Sequence, residues 1–131
     1  MAKWIVSCNP KYYKVDEAFA KLKKLDWKQA SSNMEVGDTV FIYVSKPVAA
    51  IKYKCLVTKA NLTEIEIDDS AFVIKGETYL NHPAHMELEL IRTYNDELTM
   101  DILSQNGVKG RIMRPRRAVD EFDAYIQAHN L

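Results

Sequence analysis

The sequence predicts an α+β domain, a curled sheet of about five to six mostly antiparallel strands with flanking helices. Three observations carry this. A β-branched and aromatic run over residues 39–44 is followed by apolar–polar alternation over 50–58 and again over 86–92. A helical stripe at Val15, Ala18, Phe19 and Leu22 stands between the first strand-like run and the others, and a second at Val119, Phe122 and Ile126 closes the chain. With 131 residues, no internal repeat and no linker-like stretch, residues 1–131 read as one domain with its own core.

The elements follow in order. Residues 3–8 form a short apolar strand, closed by Asn9-Pro10 because a residue before proline avoids the helical region. The stripe beginning at Val15 is an amphipathic helix with Lys21, Lys23 and Lys24 toward water, and Tyr12 and Tyr13 read as packing at its start. Residues 26–35 read as a polar connection that carries Trp27 and Ser31-Ser32-Asn33. Val36-Gly37-Asp38 then turns the chain into a β-branched and aromatic strand over 39–44. Its partner, residues 50–58, sets Ile51, Tyr53, Cys55 and Val57 on one face against Lys52, Lys54 and Thr58. Residues 64–67 and 72–74 are brief strands around the Asp68-Asp69-Ser70 turn. Residues 86–92 alternate again, with Met86, Leu88 and Leu90 opposite Glu87 and Glu89. Residues 98–104 form a short helix, and the last helix covers about 118–129, with Ala118 and Tyr125 beside its stripe.

Composition excludes several classes. Hydrophobic residues make up 47%, the level of a globular chain rather than a disordered one. No run approaches the roughly 18 apolar residues that a membrane span needs, and the N-terminal apolar stretch is too short for a signal peptide. Cys8 and Cys55 lie in strand-like runs without metal spacing. They read as buried thiols of a cytoplasmic protein, with a disulfide left open.

Lys+Arg and Asp+Glu each total 18, but the charges are unevenly distributed. Residues 1–59 hold 11 Lys against 5 acids, residues 60–108 hold 2 basic against 10 acidic residues, and residues 109–131 hold 5 against 3. Two readings follow: ordinary solvated runs, or a positive and a negative side. The segment from Asn106 to Arg117 carries Lys109, Arg111, Arg114, Arg116 and Arg117 into the last helix. Cations are disfavoured at a helix N-terminus, so this clustering points to an external anion such as phosphate.

Catalytic signatures are absent. His82 and His85 are separated by Pro83, which breaks the helix that would bring both to one metal, and no acidic third ligand stands at metal spacing. There is no P-loop, nucleophile elbow or dinucleotide fingerprint. The expectation is therefore no catalytic residue, no metal and no cofactor. Binding chemistry is better represented. Ser7 and Asn9 end the first strand, Ser32 and Asn33 follow Trp27, and Tyr43 and Ser45 end another strand beside Lys46. Hydroxyls and amides are the groups that bond a base edge, and Trp27 is either a core plug or a stacking plane. Together they describe a base pocket, with Lys46, Lys109, Arg111, Arg114, Arg116 and Arg117 on flanking phosphates.

The ordered set Trp4-Ile5-Val6-Ser7-Cys8-Asn9, Asp26-Trp27-Lys28-Gln29, residues 36–44, residues 51–55, residues 65–70, Met86-Glu87-Leu88-Glu89-Leu90, Asn106-Gly107 and Pro115-Arg116-Arg117 resembles the EVE domain of the PUA-like superfamily. It is most similar to the EVE-like N-terminal domain of bacterial HNH modification-dependent restriction endonucleases, and the likeness spans nearly the whole chain. The resemblance implies a small PUA-like β-barrel that flips 5-methyl- or 5-hydroxymethylcytosine of DNA into an aromatic pocket. It assigns Ser7, Asn9, Trp27, Asn33, Tyr43 and Ser45 to that pocket, and Arg116 and Arg117 to the closing basic turn. Met113-Arg114 departs from the Gln-Gly expected before the proline, and no HNH segment follows, so the chain is expected to bind DNA without cutting it. Relatives imply two alternatives: a reader of modified or single-stranded RNA, or a small ASCH-type hydrolase of modified nucleosides that uses a lysine and a carboxylate.

Overall fold

A computed structural model of the chain describes residues 1–29, 33–63, 84–110, 112 and 114–131. The described elements are strands β1 (Lys3–Cys8), β2 (Lys24–Lys28), β3 (Thr39–Val44), β4 (Ala50–Leu62), β5 (His85–Thr93) and β6 (Arg116–Arg117), with helices α1 (Val15–Lys21), α2 (Met100–Gln105) and α3 (Asp120–Ala128). The six strands form one sheet in the order β2-β5-β4-β3-β1-β6. β1 and β3 run parallel; the other pairs are antiparallel. Among the described residues the sheet is open, ending at β2 and β6. The brief strands expected around residues 64–74 lie outside the described residues.

Alternation along the strands builds two cores. Trp4, Val6 and Cys8 of β1 with Val40, Ile42 and Val44 of β3 face α1, whose Val15, Ala18 and Phe19 cover them. Ile5, Phe41 and Tyr43 face the other way, onto Leu103 of α2 and Phe122 and Ile126 of α3. Ile51 does not share a face with Tyr53, contrary to its expected alternation. Ile42 pairs with Tyr53 and Tyr43 with Ile51, so Lys52 is an extra residue and reverses the parity. Ile51 therefore joins the α3 side and Tyr53 the α1 side.

Three further expectations are corrected. Trp27 is not in a polar connection: it belongs to β2, pairs with Met86 and packs edge-on against Tyr13 with ring centroids 5.8 Å apart. Among the described residues, the basic and acidic stretches meet rather than part into two sides. Acidic β5 lies between β2 and β4, where Glu87 meets Lys24 at 3.4 Å and Lys59 at 3.8 Å. Arg116 and Arg117 are not the start of the last helix. They form an edge strand on β1, and α3 begins at Asp120 with Asp120, Glu121 and Asp123 in its first turn, the residues its dipole favours there.

Candidate nucleic-acid interface

β1 and β3 leave the sheet side by side. Their parallel register sets Ser7 beside Tyr43 and Cys8 beside Val44, and the Ser45 N–H donates to the Cys8 carbonyl at 3.0 Å. Each strand then turns sharply. The Asn9 carbonyl accepts from the Tyr12 N–H at 3.0 Å, and the Ser45 carbonyl from the Val48 N–H at 3.2 Å. The Asn9 side chain fixes the first turn by accepting the Lys11 N–H at 2.9 Å, the local role that favours asparagine in turns.

Between these ends lies a cleft of about 480 Å³, lined by Ser7, Cys8, Asn9, Lys11, Tyr43, Ser45, Lys46 and Ile112. That volume falls within the ~300–1,000 Å³ of small-ligand sites. Among the described residues the lining holds two lysines, hydroxyls and an amide, but no carboxylate. Burial raises the Tyr43 phenol above its ordinary value, so it remains a neutral hydrogen-bonding group. Burial, reinforced by the Asp16 charge, pushes the Cys8 thiol up to about 12. A protonated thiol is a poor nucleophile, and the Cys8 side chain belongs to the α1-side core, so Ile112 is the apolar side chain of the cleft.

The cleft thus gathers Ser7, Asn9, Tyr43, Ser45 and Lys46 of the expected set. Trp27 and Asn33 do not line it; Trp27 is core, and Asn33 is exposed after β2. Ser32 and Arg111 lie outside the described residues. Lys109 and Arg114 are exposed on the basic loop, which reaches the cleft through buried Ile112. Arg116 donates to the Lys109 carbonyl at 3.1 Å, and the Arg117 guanidinium lies 5.1 Å from the centre of the Trp4 ring.

A polar pair is also buried, His85 Nδ1 with Asp26 Oδ2 at 2.9 Å. No group of three or more His, Cys, Asp or Glu side chains that could hold a metal occurs among the described residues. No helix of the described residues is long and apolar enough to cross a membrane.

No family model and no curated protein sequence matches the chain. Solved structures do match. A Pseudomonas putida protein is 22% identical, over 99% of this chain and 100% of its own, with a TM-score of 0.67. ASCH from Zymomonas mobilis is 11% identical, over 97% of this chain and 94% of its own, with a TM-score of 0.61. Human THYN1, solved in complex with DNA containing 5-methylcytosine, is 13% identical over 98% and 97% of the two chains, with a TM-score of 0.63. The fold is PUA-like.

Within this PUA-like fold, sequence reading missed Lys11, Cys8 and Ile112 as lining residues. Lys11 carried a usable signal, because a lysine directly after a strand-ending Asn-Pro must lie at the strand's mouth. Ile112 carried none, since its approach depends on how the basic loop folds back.

Proposed function

We propose that the chain is a nucleic-acid-binding module that takes a modified base, 5-methyl- or 5-hydroxymethylcytosine of DNA, into the cleft at the ends of β1 and β3. One observation carries the reading: Ser7, Asn9, Tyr43, Ser45 and Lys46, far apart in sequence, meet in one cleft of suitable size. Hydroxyl and amide groups suit the polar edge of a base, Ile112 offers apolar contact to a 5-substituent, and the lysines favour phosphate. Tyr43 supplies the aromatic surface in place of Trp27. A base inside a duplex must be extruded to enter, at a few kcal/mol, which cleft contacts and phosphate neutralisation offset. The fold shared with THYN1 supports this reading.

Binding without catalysis is part of the proposal. A lysine–carboxylate hydrolase needs both groups in one place, and the described lining supplies only lysines. We further propose a specificity role in a modification-dependent restriction system, with an HNH nuclease as partner; this rests on the sequence resemblance. Restored cleavage of methylated DNA on mixing the two proteins is its measurement.

The test of the binding reading is fluorescence anisotropy with duplexes that differ only in the 5-substituent of one cytosine, with matched RNA as competitor. Tighter binding of the substituted duplex, weakened about tenfold by Tyr43→Phe through loss of a hydrogen bond, is expected. Equal affinity for all duplexes, or preference for RNA, would overturn the reading. Turnover of acylated or methylated cytidines would overturn the non-catalytic assignment.

A further inference from the structure

Building on the base-binding reading, we propose that the site takes more than the extruded nucleotide: Lys11 and Lys46 hold the phosphate joining it to its neighbour, and Tyr12 stacks on that neighbouring base.

The geometry comes from two matched turns. β1 and β3 are parallel neighbours, and each ends in a turn closed by a main-chain bond, Tyr12 to Asn9 and Val48 to Ser45. The Ser45–Cys8 bond joins the turns at their base, so they leave the sheet as adjacent jaws. Each jaw contributes one exposed lysine to the cleft, Lys11 and Lys46. No carboxylate among the described lining residues opposes them, so an anion between the two jaws meets attraction from both.

Beyond each lysine stands an exposed apolar residue, Tyr12 at 41% and Val48 at 42%. Tyr12 is the surface member of the Tyr12-Tyr13 pair. Its neighbour Tyr13, 2% exposed, fills the interior against Trp27, while Tyr12 stays at the surface on the turn that carries Lys11. An exposed aromatic beside a cation, next to a hydrogen-bonding cleft, is the arrangement with which proteins track successive bases of a single strand. Stacking tolerates any base, so this contact adds affinity for a neighbour without reading its identity.

The experiment measures anisotropy of short single-stranded DNA carrying one 5-methylcytosine, whose neighbour on either side is an intact base or an abasic sugar. Wild-type protein is expected to bind the intact strand about tenfold more tightly than the strand abasic on one particular side. Tyr12→Ala should abolish that difference while the preference for 5-methylcytosine over cytosine persists. Lys11→Ala with Lys46→Ala should lower the slope of log affinity against log salt by about one. Indifference of wild type to the neighbour, a difference that survives Tyr12→Ala, or an unchanged salt slope in the lysine variant overturns this inference and leaves the base-binding reading intact. If wild type binds no oligonucleotide, both fall.

Discussion

The indole Nε1 of Trp4 donates to the Asp38 carboxylate at 3.0 Å, in the interior, and so links β1 to the turn that opens β3. The same carboxylate accepts the main-chain N–H of Ala2 at 3.1 Å and that of Glu35 at 3.0 Å. Burial alone would raise the Asp38 pKa, but the bonds from Glu35, Trp4 and Ala2 outweigh it and hold it below the ordinary carboxylate range. Asp38→Ala leaves three donors without their acceptor and is expected to destabilise the fold by about 3 kcal/mol, read as a lower urea midpoint with an unchanged m-value. A depressed carboxylate stabilises fully above its unfolded value, about 3.9, and that contribution is lost as pH falls through the lower folded value. The acid limb of wild-type stability should therefore be steeper than that of Asp38→Ala.

Trp27 is predicted to act through the core. Only 9% exposed and packed on Tyr13, it should cost about 3–5 kcal/mol of stability when replaced by alanine. Trp27→Phe keeps an aromatic ring against Tyr13 and should retain the preference for the modified base. Chemical denaturation and anisotropy on the same preparations separate the two effects. Loss of the preference in a stably folded Trp27→Phe would return Trp27 to the base site.

The way Trp27 was misread shows what the sequence conceals. β1 and β3 are legible as short, nearly continuous apolar runs, and β5 because apolar and acidic residues alternate along it. β2 is not, because Asp26 interrupts its apolar residues and looks like a loop. Asp26 is buried against His85, 2.9 Å away on the neighbouring strand β5 and distant in sequence. A strand rescued by a remote partner has no local signature. The cleft was largely legible for the opposite reason. Ser7, Asn9, Tyr43 and Ser45 all lie at ends of recognisable strands, and only the parallel pairing of β1 with β3 was needed to bring them together.

High pH should destabilise the fold through groups that stay protonated inside it. Burial raises the thiols of Cys8 and Cys55 and the phenols of Tyr53 and Tyr94 above their ordinary values; for Tyr53 the hydrogen bond to Asp16 adds to this. Raised folded values contribute stability in full below the unfolded values, about 8.5 for Cys and 10 for Tyr. That contribution is lost as pH rises through the folded values, about 12 for Cys8 and Tyr94. The urea midpoint should thus begin to fall above about pH 8.5. Cys55→Ala should be less stable at neutral pH yet flatter across the first part of that limb. A wild-type midpoint level up to about pH 10 would contradict the assignment of the thiols.

Arg116 and Arg117 are adjacent in sequence but predicted to do different work. On β6 they oppose Ile5 and Trp4 respectively, and alternation sends them to opposite faces of the sheet. Arg117 goes with Trp4 and covers its ring, 5.1 Å from the centroid. Arg116 goes with Ile5, on the face that Ser7 continues toward the cleft, and ties the two ends of the basic loop through the Lys109 carbonyl. Arg117→Ala should therefore lower stability by about 0.5–1 kcal/mol, as expected for a partly solvated cation–π contact, and leave the salt dependence of DNA binding nearly unchanged. Arg116→Ala should weaken modified and unmodified DNA alike and reduce the salt slope by about one. Both variants remove the same formal charge, so a general loss of positive potential would move the two slopes equally. Only a contact specific to the cleft face separates them, and a series of affinities across salt concentration, with urea midpoints for both variants, decides between those outcomes.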